Sequence, residues 1–155
     1  MPTHFSAPWS SRLKLTTWGT TAVLILVGFM GTLPALLAYV ILVGSVVFSV
    51  RGYTVTEDAI FVHRLGWALR LPLRNVRRAR VAPGATRGSL RTFGNGGLFS
   101  FSGRYRNQTL GPYRAYMTDA ERSVVVETTE GPIVITPDRP DAFAAAVKGA
   151  LKAAR

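Results

Sequence analysis

A run of 36 residues, from Leu15 to Val50, contains no charged side chain. This run constrains the fold strongly, because a helix in the core of a soluble protein has no use for so long an uncharged segment. A helix that crosses a membrane needs about 20 apolar residues to span roughly 30 Å of hydrocarbon. Gly31 and Pro34 lie near the midpoint of the run and predict a turn. We therefore expect two short transmembrane spans, residues 17–31 and 34–50, that form a helical hairpin.

The charges that flank this run predict its orientation. Arg12 and Lys14 precede the run and Arg51 follows it, whereas the turn between the two spans is uncharged. Cytoplasmic loops carry an excess of Lys and Arg, so both termini are expected in the cytoplasm of an integral plasma-membrane protein, with the lipid bilayer as a partner. A single span and a cleaved signal peptide are the alternatives. The apolar run continues well past Pro34, which disfavours a signal peptide.

Residues 51–155 are rich in short segments that alternate between apolar and polar side chains, a pattern typical of β-strands. Glu57-Asp58 and Glu130-Gly131 separate neighbouring segments as turns. Pro72 ends one segment, since proline is tolerated only at strand ends or edges. The predicted strands are 52–56, 59–64, 67–71, 76–81, 113–118, 123–128 and 132–136.

A helix is predicted at the end of the chain. Asp138 supplies a capping acid and Pro140 a first-turn proline, both of which favour helix initiation. Phe143, Val147 and Leu151 then follow at helical spacing on one face. We expect this apolar face to cover one open end or face of the sheet.

Four segments resemble bacterial pleckstrin-homology-like (PH-like) domains. They are YTVTEDAI at 53–60, GNGGLFSFSGRYRN at 94–107, GPYRAYMTD at 111–119 and ITPDRPDAF at 135–143. The resemblance covers about residues 51–152. It implies a membrane-tethered, non-catalytic domain, and members often carry a pair of membrane helices before it. No functional residue is carried over, because this branch has no agreed binding motif.

The predicted fold class is α+β. An N-terminal transmembrane helical hairpin precedes a PH-like β-barrel or curved sheet, which a C-terminal α-helix caps. The predicted divisions are an N-terminal tail at 1–14, the hairpin at 15–50 and the PH-like domain at 51–155.

Positive charge is concentrated in the predicted PH-like domain. The chain has 19 Lys and Arg against 8 Asp and Glu, and 17 of these cations lie in residues 51–155. Between Ala59 and Thr118 there are 11 arginines with no lysine and no acid. Guanidinium groups fork onto phosphate oxygens, so the densest cluster is a candidate contact for anionic phospholipid head groups or a phosphorylated partner. Non-specific attraction to a membrane leaflet and a simply solvated surface remain open. The cluster consists of Arg74, Arg77, Arg78 and Arg80.

A stretch rich in glycine and aromatic residues spans positions 94–103. It lacks the lysine and Ser/Thr that follow a phosphate-binding glycine loop at fixed spacing. Phe99, Phe101 and Arg104 are therefore a candidate interfacial loop, since aromatic residues favour the membrane interface. A bulged loop whose aromatic side chains turn into the core is the structural alternative.

Catalytic, metal and cofactor sites are not expected. The chain has no cysteine, which excludes thiol nucleophiles and cysteine-ligated metals. Its two histidines, His4 and His63, are far apart in sequence, and Ser100 and Ser102 have no nearby base. No nucleic-acid partner is expected either, because membrane tethering disfavours that role despite the positive charge.

The predicted function is therefore binding or scaffolding at the cytoplasmic face of the membrane, with an anionic lipid or an unknown protein as the partner. Self-assembly into a homo-oligomer through the PH-like domain is the alternative, because sheet edges and the glycines of the hairpin both offer contacts.

Overall fold

The structure, a computed structural model, describes residues 2–154. Two short 3-10 turns, Leu73–Asn75 and Ala120–Arg122, interrupt the main elements. In chain order, these elements are β1 (Thr3–Ser6), α1 (Ser11–Gly28), α2 (Thr32–Val47), β2 (Gly52–Val55), β3 (Ala59–His63), β4 (Ala68–Pro72), β5 (Val76–Val81), β6 (Leu90–Gly96), β7 (Phe101–Asn107), β8 (Gly111–Met117), β9 (Val124–Thr128), β10 (Gly131–Ile135) and α3 (Pro140–Ala153).

The strands form two sheets. The first is antiparallel with the order β1-β2-β3-β4, and its edge strand β1 is built from residues 3–6 near the N-terminus. The second has six strands in the order β5-β9-β10-β8-β7-β6, in which only the β10–β8 pair is parallel. The glycine-rich stretch forms parts of β6 and β7 rather than one long loop, and only residues 97–100 connect these strands.

The main core lies between the two sheets and is closed by α3. Phe143 and Val147 of α3 are completely buried in it, as the predicted apolar face requires. The phenol of Tyr53 is also completely buried. It donates a hydrogen bond to the Tyr116 carbonyl oxygen at 2.6 Å and accepts one from the Thr136 N–H at 3.2 Å. Burial raises the pKa of Tyr53 to about 12, so this phenol stays neutral and keeps both hydrogen bonds at physiological pH.

A second, smaller cluster covers the opposite face of the six-stranded sheet. Its centre is the pair Tyr105 and Tyr113, whose rings stack with centroids 5.9 Å apart. Ala82 and Ala85, from the connection between β5 and β6, pack over this cluster. Side chains alternate between the faces of a strand, so the neighbours of these tyrosines in β7 and β8 project to the side of the main core.

The two N-terminal helices form a hairpin that is joined to the rest of the fold at the start of α1. Ser10 caps α1 by accepting a hydrogen bond from the Leu13 N–H at 3.1 Å, and its own hydroxyl donates to the Thr118 carbonyl at 3.1 Å. Leu13 is completely buried. Most apolar side chains further along α1 and α2 are exposed.

The prediction of a transmembrane hairpin in an integral membrane protein is wrong. Within residues 2–154, no helix combines the length and the apolar character that a membrane span requires. The 16 residues of α2 make a helix of only about 24 Å, against roughly 30 Å of hydrocarbon. In α1 the charged residues Arg12 and Lys14 and four threonines leave Ala22–Val27 as the longest continuous apolar stretch.

Candidate functional site

The four arginines proposed as an anionic contact lie along one edge of the six-stranded sheet, and we call them the basic strip. Arg74 belongs to a 3-10 turn, and the other three lie on β5, where Arg77 occupies a bulge. Arg78 makes a two-pronged contact with Glu127 on β9, with N–O distances of 2.7 and 2.8 Å. Arg80 approaches the same carboxylate at 3.4 Å.

Glu127 therefore neutralises part of the basic strip. The hydrogen bond from Arg78 is the main reason why the pKa of Glu127 lies below its usual range, so this carboxylate stays charged. Arg74 and Arg77 are exposed and have no carboxylate partner within residues 2–154. Two of the four predicted arginines thus remain available for an external anion.

The three residues of the predicted interfacial loop do not form one surface. The connection 97–100 is fastened to α1, where the Thr17 hydroxyl donates to the Gly97 carbonyl at 3.1 Å and accepts from the Phe99 N–H at 3.0 Å. The ring of Phe99 packs edge-on against Trp9, and Phe101 packs against the smaller cluster. Arg104 lies on β7 and faces the opposite side of the sheet, away from the smaller cluster.

Arg104 lines a cleft that sequence reasoning did not find. The cleft has a volume of about 730 Å³ and lies between α2 and the strands β6, β7 and β8. We call it the arginine cleft. Its walls are formed by Val40, Ile41, Gly44, Ser45, Phe48, Arg64, Arg91, Phe93, Gly94, Asn95, Leu98, Ser102, Gly103, Arg104, Arg114 and Tyr116.

Arg104 and Arg114 are directly opposite each other on the antiparallel strands β7 and β8. Like charges in this arrangement destabilise a sheet unless counter-charges are close. Glu130 supplies one, with a distance of 3.2 Å from its carboxylate to an Arg114 nitrogen. Within residues 2–154, Arg104 has no carboxylate partner. One positive charge of this pair is therefore uncompensated at the wall of the cleft.

Arg64 directly follows β3 and lies in a ring of aromatic side chains. Its guanidinium carbon is 5.4 Å from the ring centres of both Phe48 and Tyr116, and 5.8 Å from that of Trp67. Its Nε is buried without a hydrogen-bond partner. Burial lowers the pKa of Arg64, although a guanidinium remains charged at any physiological pH. The aromatic faces offset part of the cost of burial, but they leave the Nε–H donor unused.

Arg91 contributes less to the cleft than Arg64, Arg104 and Arg114. Its guanidinium lies across Gly96, in the space that a side chain at that position would occupy. It is also close enough to Tyr105 to oppose the upward pKa shift that burial causes in that phenol. Arg64, Arg104 and Arg114 are therefore the three cations with which a ligand of the cleft would interact.

Among residues 2–154, no three His, Cys, Asp or Glu side chains are close enough together to hold a metal ion. His4 and His63 do come together, because β1 and β3 flank β2. Both rings make hydrogen bonds with the Thr54 hydroxyl, at 3.2 and 2.7 Å. This arrangement satisfies the ring nitrogens that face Thr54 and links three strands.

The two packed sheets and the C-terminal helix that closes them define a PH-like domain. The bacterial PH domain family matches residues 51–151, and the chain belongs to this family. PH-like domains are generally non-catalytic. No curated protein matches the sequence significantly. The same is true of solved structures.

Proposed function

We propose that this protein is a non-catalytic binding module that recognises anionic phospholipid head groups through the arginine cleft. The observation that carries the proposal is the composition of the cleft wall. Arg64, Arg104 and Arg114 line it, whereas no Asp or Glu of residues 2–154 does. An anion in the cleft would relieve the repulsion between Arg104 and Arg114 and would give the Arg64 Nε–H an acceptor.

The chemistry of arginine favours phosphate as the anion. A guanidinium presents donors in a planar fork that matches two phosphate oxygens, and such charge-assisted hydrogen bonds are shorter and stronger than neutral ones. Phe93 on β6 adds an exposed aromatic ring at the rim of the cleft, where it can contact apolar material beside a head group. The binding involves no covalent step.

Binding to lipid vesicles tests this proposal. We expect the protein to sediment with vesicles of phosphatidylglycerol, which is anionic, and not with vesicles of phosphatidylcholine. Replacing both Arg104 and Arg114 by glutamine should weaken binding at least about tenfold, because charge-assisted hydrogen bonds are lost.

The matched control replaces Arg74 and Arg77, both exposed and on the basic strip, by glutamine. This variant loses the same net charge, so its binding should be close to that of the parent protein. Equal losses in the two double variants would show general charge attraction and would contradict a role for the cleft. Absence of any binding to phosphatidylglycerol would contradict the lipid assignment and favour a protein partner.

We propose self-association as a second candidate function, because one specific observation favours it. The helical hairpin exposes a series of large apolar side chains, including Leu26 and Leu37, which are 67% and 56% exposed. Exposed apolar side chains in such numbers favour an interaction site, and a second copy of the chain presents the same surface.

Sedimentation equilibrium tests whether the hairpin joins two copies. We expect a dimer for the parent protein and a monomer when Leu26 and Leu37 are both replaced by glutamate, since a charge on each hairpin would have to be buried in the interface. Leu90→Glu is the control, because Leu90 is 75% exposed but lies on β6. A parent protein that stays monomeric at every concentration would contradict self-association.

A further inference from the structure

We infer that the arginine cleft takes up a single amphipathic anion, with a phosphate-type head on its arginines and an apolar chain against α2. This inference rests on the proposed function and adds a second part to the ligand. A head group alone requires only the cationic part of the cleft. The rest of the wall includes an apolar part, and one side of that part is supplied by a helix that lies outside the matched PH domain segment.

The cationic part of the cleft is concentrated where the sheet meets the end of β3. Arg104 and Arg114 face each other across β7 and β8, and Arg114 and Tyr116 both lie on β8. The ring of Tyr116 also contacts the Arg64 guanidinium, whose carbon is 5.4 Å from the ring centre. These contacts bring the three arginines to one region of the cleft wall. A head group that carries several oxygens is therefore the part of a ligand that this region favours.

The apolar part of the cleft has two sides. Val40, Ile41 and Phe48 of the α2 segment form one side, and Phe93 and Leu98 belong to the other. Ile41 and Phe93 remain 49% and 76% exposed although they line the same cleft. Apolar surface that stays open to water in a concave site gains free energy when an apolar ligand covers it. The volume of about 730 Å³ lies within the range of about 300–1,000 Å³ that small-molecule sites occupy.

Soluble alkyl phosphates test the inference without any membrane. Calorimetric titration compares inorganic phosphate, hexyl phosphate and octyl phosphate, each below the concentration at which it forms micelles. We expect affinity to rise on the order of tenfold for every two methylenes added, because each buried methylene contributes to binding. Octyl glucoside has the same chain and no charge, and we expect it to bind far more weakly than octyl phosphate.

Variants separate the two parts of the site. Ile41→Ser should weaken binding of octyl phosphate several-fold without changing that of inorganic phosphate. Leu36→Ser is the matched control, because Leu36 is on the same helix with similar exposure but does not line the cleft. Arg104→Gln should weaken binding of both phosphates.

The outcomes distinguish this inference from the proposed function. If octyl phosphate binds no tighter than inorganic phosphate, or if Ile41→Ser and Leu36→Ser behave alike, the apolar part of the site is refuted while cleft-dependent vesicle binding still stands. If octyl glucoside binds as well as octyl phosphate, an anionic ligand is refuted. If alkyl phosphates bind but phosphatidylglycerol vesicles do not, the inference holds and the lipid source proposed above is refuted.

Discussion

Replacement of Phe143 by alanine is expected to lower the free energy of unfolding by about 3–5 kcal/mol. Phe143 is completely buried, and its ring makes edge-on contacts with Phe5 at 5.1 Å and Tyr53 at 6.2 Å. It therefore joins α3 to β1 and β2. Truncation removes the favourable burial of the ring and leaves a cavity that three separate elements would have to close. Urea-induced unfolding followed by circular dichroism measures the loss.

Leu151→Ala provides the comparison on the same helix. Leu151 is only partly buried at the margin of the main core, so its truncation leaves less unfilled space. We expect a clearly smaller loss than for Phe143→Ala. If the two variants lose the same stability, the main core does not depend on the aromatic contact between α3 and the first sheet.

Much of the PH-like fold could be predicted from the sequence. The hairpin of β9 and β10 follows from two runs of β-branched residues on either side of Glu130-Gly131. The start of α3 follows from Pro140, and its buried face from the spacing of Phe143 and Val147. Such local patterns are reliable because the residues that set them are neighbours in the chain. The family match over residues 51–151 confirms the resemblance on which the fold was expected.

The N-terminal helices show where a charge-based interpretation fails. The run from Leu15 to Val50 is uncharged, but uncharged is not the same as apolar, and its threonines matter. Thr16 and Thr17 both donate to the Gly97 carbonyl at 3.1 Å, so they fasten α1 to the connection between β6 and β7. That partner is about 80 residues away in sequence. The hydrogen bonds of these threonines could therefore not be predicted from the sequence alone.

The arginine cleft could not be predicted for a related reason. Arg77 and Arg78 were selected because arginines are most frequent in that part of the sequence. The frequency of arginine along a strand does not show which charges share a face or lie near a carboxylate. Glu127, which is 49 positions from Arg78, neutralises part of the basic strip. Arg64, Arg104 and Arg114 are spread over 50 residues and converge only when β3, β7 and β8 pack. Trp67 is only three positions from Arg64 in the sequence, but the other two aromatic contacts of Arg64, Phe48 and Tyr116, are 16 and 52 positions away.

Gly103→Ala should be the second strongly destabilising substitution, with a loss of about 2–4 kcal/mol. Gly103 has a φ of 141°, and it lies opposite Gly94, whose φ is 108°. Residues that carry a side chain rarely adopt such φ values. A methyl group on Gly103 would also lie 2.8 Å from the Gly94 Cα and closer still to the Phe93 carbonyl oxygen. The two strands must then separate, which displaces Phe93 and Arg104 on the cleft wall. Unfolding curves and amide hydrogen exchange in β6 report the two effects.

Gly149→Ala is the matched control, since the same substitution is made where nothing lies within 4 Å of the added carbon. Gly149 is in α3, where alanine favours the helix, so this variant should be more stable by about 0.5–1 kcal/mol. The opposite signs separate a steric requirement for glycine from a general response to an added methyl group. Faster exchange in β6 of Gly103→Ala alone would show that the close approach of two glycines holds the glycine-rich stretch in the sheet. Similar stability of both variants would instead show that β6 and β7 tolerate a wider spacing, and the wall of the arginine cleft would then not depend on this contact.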